Sequence, residues 1–141
     1  MGIPINNLKK QGEQKLESKA IRDFKDLEVW QESMKFVVDA YQNIIGKLPK
    51  EERYALADQM KRCAVSVPSN IAEGHSRHST KEYIHFLYIA AGSCAEFETQ
   101  LIIANKLYGI EPEPIQTKLI VIRKMLNKLI SVLKGKLLNE K

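Results

Sequence analysis

Apolar side chains recur every three to four residues along most of this chain, and glycine and proline divide the recurrence into four blocks. Leu27, Trp30, Met34, Val37, Tyr41, Ile44 and Leu48 form the first stripe, with Asp26 as its expected N-cap and Gly46 and Pro49 closing it. The second block opens at Pro49 and places Glu51 and Glu52 in a first turn, where the helix dipole favours acids. It turns Leu56, Met60, Cys63, Val67 and Ile71 inward and is expected to stop at Gly74. Pro68 lies inside it and has no N–H to bond back to Ala64, which predicts a kinked or split helix. Ser66, Ser69 and Asn70 stand ready to satisfy the freed carbonyls or to cap a restart. In the third block Ser79 and Glu82 have capping-box spacing. Tyr83, Leu87, Ala90, Cys94, Phe97, Leu101, Ala104 and Tyr108 follow in strict alternation of four and three, up to a stop at Gly109. The fourth block begins at Pro112 or Pro114 and buries Ile115, Leu119, Ile122, Leu126, Leu129 and Leu133.

Four helical blocks joined by short connections predict an all-α fold, an antiparallel up-down-up-down four-helix bundle over residues 22–141. Residues 1–21 are polar and only weakly patterned, which predicts an extension that is flexible or ordered by a partner. The third block is apolar almost all round. Ile84, Phe86, Tyr88 and Ile89 fall outside its main seam, and Ala91, Gly92, Ser93 and Ala95 would let another backbone approach closely. Those four large residues are the expected interface of a homo-oligomer.

Composition supports a folded domain, with 44% hydrophobic and 28% charged residues in 141. Cys63 and Cys94 sit in apolar runs, so they read as buried, reduced thiols rather than a disulfide framework. No secretory core precedes them and no run is long and uncharged enough to span a bilayer, so a cytoplasmic protein without membrane partners is expected. Charge changes the picture more. Between Lys118 and Lys141 seven basic residues face one acid, so the fourth block holds the whole net excess of +5. A basic helix face is the electrostatic footprint of a polyanion binder.

Catalytic chemistry finds little support. Glu73, His75, Arg77, His78 and Ser79 form the one titratable cluster outside the apolar faces, yet no nucleophile, base and orienting group have the spacing that catalysis needs. A polar loop and a capping serine explain the same residues. No Cys-x-x-Cys occurs, and both cysteines fall on core seams, so no metal site is expected. Phosphate-cradling glycine loops are missing as well. The expectation is a protein without enzymatic activity or cofactor.

Several segments are far more particular than a generic bundle. Ser66-Val67-Pro68-Ser69-Asn70-Ile71-Ala72-Glu73-Gly74, together with Phe24 to Trp30, Lys81 to Ala90 and Glu96 to Leu101, resembles the four-helix bundle proteins encoded in intervening sequences of bacterial 23S ribosomal RNA genes. The resemblance covers about Arg22 to Lys136. It departs from the family pattern at His75, where an aromatic is usual, at Cys63 and Cys94, and in the N-terminal stretch. That family is similar to the accessory proteins of diversity-generating retroelements, which are basic homopentamers working with a reverse transcriptase and its RNA. The resemblance therefore implies a homopentameric barrel in which Ser66, Pro68, Ser69, Asn70, Glu73 and Gly74 are structural or interface residues. RNA or DNA backbone contacts are expected from Arg123, Lys124, Lys128 and Lys134, with Arg62, Arg77 and Lys81 as secondary candidates. The competing expectation is a scaffold that docks a protein such as a reverse transcriptase, its basic face being incidental.

Overall fold

The computed structural model describes residues 20–139, and among these residues there are four long helices and no strand. They are α1 (Glu28–Asn43), α2 (Leu56–His75), α3 (Thr80–Tyr108) and α4 (Ile115–Asn139). Short 3-10 turns precede α1 at Phe24–Asp26 and connect it to α2 at Ile45–Lys47 and Lys50–Glu52. Backbone neighbours form a closed ring: α1 and α3 each pack on both α2 and α4, and no close backbone contact crosses a diagonal. Side chains fill the centre, where the Phe36 and Phe97 rings meet edge to face at 4.9 Å. Residues 1–19 of the expected extension lie outside the described residues.

The third block behaves as its period predicts except at its ends, where Tyr83 is half-buried and Tyr108 is exposed. Leu87, Ala90, Cys94, Phe97, Leu101 and Ala104 are all fully buried. Ser79 Oγ accepts from the Glu82 N–H at 3.3 Å, so the serine half of the capping box forms. Gly109 ends α3 at φ +65°, a left-handed conformation that glycine adopts without a Cβ penalty. In α4, Ile115, Leu119, Ile122 and Leu126 are buried as expected; Ile130 is buried, while Leu129 is only half-buried.

The first block departs from its predicted stripe. Val29, Ser33, Phe36, Ala40 and Ile44 face the core, whereas Met34 and Tyr41 are exposed. Ser33 misleads the pattern because it counts as polar, yet its hydroxyl donates to the Trp30 carbonyl at 2.7 Å and so enters the core satisfied. Asp26 is not the cap of α1 either. Asp23 caps the preceding 3-10 turn and exchanges capping-box bonds with Asp26, and Leu27 stands at the N-cap of α1 with no side-chain bond. Pro49 opens a 3-10 turn, and α2 begins only at Leu56.

Two further expectations for α2 are narrowed or corrected. The helix runs unbroken through Pro68, which is buried, so of the two expected outcomes the split does not occur. Gly74 does not stop the helix. It lets α3 approach: a Cβ built there would lie 2.8 Å from Phe86 Cβ and 3.2 Å from the Tyr83 carbonyl oxygen. The expected interface also changes. Ile84 is a core residue at 8% exposure and presents no surface to another subunit, while Phe86 is half-buried against α2. Tyr88 and Ile89 are exposed, and Ile102 and Ile103 join them on the outer side of α3.

Candidate nucleic-acid interface

A helix with its core face at Ile115, Leu119, Ile122, Leu126 and Ile130 turns its other residues in three directions, and the cations of α4 divide accordingly. Lys118 points toward α1 and donates to Asp39 Oδ2 at 2.7 Å. That bond, aided by Asn43 donating to Asp39 Oδ1, holds the Asp39 carboxyl below its ordinary value of 3.8 against the opposing effect of burial. Arg123 turns the other way and pairs with Glu98 of α3 at 2.6 Å, the two side chains being 35% and 24% exposed. Lys134 lies on the same side, 5.2 Å from the centre of the Tyr88 ring. Lys124 and Lys128 are the outward pair, one turn apart and exposed, and neither makes an ion pair among the described residues. The α4 surface is thus less uniformly basic than its composition, because Ile120, Val121 and Val132 are exposed between the lysines.

The secondary cations separate similarly. Arg62 pairs with Asp58 at 3.2 Å. Arg77 is bound to Glu73 at 2.5 Å and lies 4.9 Å from the Phe86 ring centre. Lys81 is exposed on the first turn of α3 with no ion pair among the described residues.

Ser66 and Asn70 of the Ser-Val-Pro-Ser-Asn stretch serve the α2–α3 seam. Ser66 Oγ and Ser93 Oγ are 2.8 Å apart, and Asn70 Nδ2 donates to both the carbonyl oxygen and Oγ of Ser66 at 2.8 Å. Ser66 O is not the carbonyl that Pro68 frees, so Asn70 holds the seam serine rather than repairing the proline gap. Cys63 Sγ donates to the Ser93 carbonyl at 2.9 Å. Burial pushes both thiols up to about 12, which keeps Cys63 a donor and Cys94 inert. Ser69 stays exposed and Glu73 is engaged with Arg77. The loop histidines do not assemble with Glu73: His75 packs edge-on to Tyr83 at 5.7 Å, and no group of metal-ligating side chains occurs among the described residues.

The sequence predicts no groove in this region, although Tyr54 among basic side chains is a pairing that could serve RNA by phosphate contact and stacking. Between the end of α1 and the start of α2 lies a groove of about 650 Å³ lined by Lys50, Arg53 and Lys61 together with Tyr41 and Tyr54, and no carboxylate lines it. The helical wheel gave little warning: positions 50, 53, 54, 57 and 61 adjoin the expected core side, and residues 50–54 precede α2. The α1 wall, from Tyr41 to Leu48, becomes its neighbour only by folding.

Over this fold, residues 25–130 match the 23S rRNA-intervening sequence protein family. The chain belongs to that family. The match spans α1 to α3 and most of α4, so it includes the α2–α3 seam, the groove, Arg123, Lys124 and Lys128. Lys134 lies beyond it. This agrees with the resemblance seen in the Ser66–Gly74 stretch. No curated protein matches the chain. No helix among the described residues is long and apolar enough to cross a membrane.

Proposed function

We propose that this member of the 23S rRNA-intervening sequence protein family is a non-catalytic, cytoplasmic RNA-binding accessory protein that acts as a homo-oligomer. The observation that carries the reading is the outward pair Lys124 and Lys128, exposed and without carboxylate partners among the described residues, on a helix that holds the chain's positive excess. Unpaired cations one turn apart suit successive phosphates and read no bases, so backbone binding without sequence preference follows. Arg123 and Lys134 contribute less than the sequence suggests, because Glu98 and the Tyr88 ring occupy them.

The bundle takes the up-down-up-down form in this reading. Support comes from the closed ring of neighbours and from cross-helix pairs that run in opposite directions, Ser66 with Ser93 and Gly74 with Phe86. The apolar outer side of α3, with Ile89, Ile102 and Ile103 exposed beside Gly92, supports self-association, and likeness to retroelement accessory proteins favours five subunits. A reverse transcriptase is the expected protein partner on the same likeness.

The test is fluorescence anisotropy of a structured RNA and a duplex DNA across a salt series, with mass from light scattering on the same sample. Binding that weakens steeply with salt, in a species several times the chain mass, is expected. Lys124→Glu with Lys128→Glu should weaken binding of both probes without altering helical content. Absence of binding at low salt overturns the reading and leaves a protein-docking scaffold.

A further inference from the structure

The groove between α1 and α2 combines two chemistries that seldom occur together on a small bundle. Three cations, Lys50, Arg53 and Lys61, converge on it, while the nearby acids are turned elsewhere. Glu52 accepts from the Tyr108 hydroxyl through Oε1 at 2.7 Å and from the Leu56 N–H through Oε2 at 3.1 Å, and Asp58 is held by Arg62. Glu51 lies outside the lining. Beside the cations stand two tyrosines. Tyr54 is 88% exposed with the Arg53 guanidinium 5.8 Å from its ring centre, and Tyr41 has the Lys61 ammonium 5.9 Å from its ring. A tyrosine ring left this open, backed by a cation rather than packed into the core, is a stacking platform.

We infer that this groove binds unpaired nucleotides of a single-stranded RNA segment, with a base stacked on Tyr54 and the adjoining phosphates held by Lys50, Arg53 and Lys61. The volume suits one or two nucleotides rather than a duplex, whose bases are stacked on one another and cannot reach the ring. An acidic peptide would satisfy the cations, but its carboxylates would gain nothing from an exposed aromatic face, whereas every nucleotide brings a phosphate and a stacking base together. This inference rests on the RNA-binding reading for its class of ligand, but it places a different contact, one that discriminates unpaired from paired strands where the α4 lysines do not.

The experiment titrates a short fluorescein-labelled oligouridylate and a duplex RNA of equal length into full-length wild type, Tyr54→Ala, Tyr54→Phe, and Lys124→Glu with Lys128→Glu. Tyr54 is exposed, so its truncation leaves the core intact. Tyr54→Ala is expected to weaken oligouridylate binding about tenfold, to leave duplex binding unchanged, and to be rescued by Tyr54→Phe. Equal affinity of Tyr54→Ala and wild type for the oligouridylate overturns the groove inference; if the Lys124 and Lys128 variant still loses both probes, the RNA-binding reading survives that failure. Displacement of the oligouridylate by an acidic peptide, with Tyr54→Ala indistinguishable from wild type, also overturns it by assigning the groove to protein. Failure of the wild type to bind either RNA overturns both.

Discussion

A single hydrogen atom in place of a methyl group decides how closely α2 and α3 can pack, because a Cβ at Gly74 would sit closer to Phe86 Cβ than real Cβ atoms come and tight against Tyr83. Gly74→Ala is expected to cost about 1–3 kcal/mol, read as a lower melting temperature in thermal denaturation, since the clash is with backbone and the stem of a side chain. Gly92 and Gly135 have open space around them, so alanine there should not produce such a loss. The thiols give a second prediction at this scale. Cys63 and Cys94 are buried with their acidity suppressed, so neither should react with a thiol reagent under native conditions, and both should react once the chain is denatured. Asp39 gives the third. Its folded carboxyl sits below its ordinary 3.8, so the stability that it brings is complete above that value and is lost as pH falls through the lower folded value. Melting curves of wild type and Asp39→Asn should therefore converge in strong acid and separate above about pH 4, the wild type being the more stable.

Among the elements, α4 shows why charge counted along a sequence overstates an interface. Lys118 and Arg123 tie α4 to its two neighbours, through Asp39 of α1 and Glu98 of α3. Arg123→Glu would set a carboxylate against Glu98 in a partly buried contact, and a loss on the order of 1 kcal/mol is expected in thermal denaturation. Lys124→Glu, one residue on, should leave the melting temperature within experimental error and act on RNA affinity alone. Helix α2 shows the opposite case, in which local sequence was read too strictly. Pro68 forfeits one backbone bond, yet packing of Val67, Pro68 and Ile71 into the core holds the helix continuous. The α3 stripe and the α4 face were legible because an apolar residue stands at nearly every turn of each seam, even though α3 also buries Ser93 and Gln100. The α1 stripe was not, because Ser33 faces the core and Met34 and Tyr41 face outward.

For the whole molecule, the ring of four helices leaves one side of α3 without a neighbour. Ile89, Ile102 and Ile103 are each about two-fifths exposed there, along a line that includes Gly92 and Ala95. Charge placed on that side should break subunit association without disturbing the bundle. Ile103→Glu is expected to lower the mass measured by light scattering while far-ultraviolet circular dichroism stays that of wild type; an unchanged mass would remove α3 from any subunit contact. Tyr88 and Ile89 were legible as part of this surface. Ile84 and Phe86 were not, since helical spacing gives the angle of a residue but not which neighbouring helix stands opposite.

The sequence by itself determined that the chain is helical, where α3 and α4 lie, which family it belongs to, and that positive charge collects in its last block. The family is carried by particular segments such as Ser66–Gly74, and the rest follows from local terms: periodic burial, glycine and proline stops, and residue type. Tertiary structure alone decided which cations are occupied. Whether a lysine meets an aspartate, a ring or open water depends on the helix packed beside it, a relation that spans seventy-nine positions for Lys118 and Asp39. The groove at Tyr54 came from the same source, because Tyr41 of α1, the connecting turns that carry Lys50, Arg53 and Tyr54, and Lys61 of α2 become one surface only when α1 and α2 fold together.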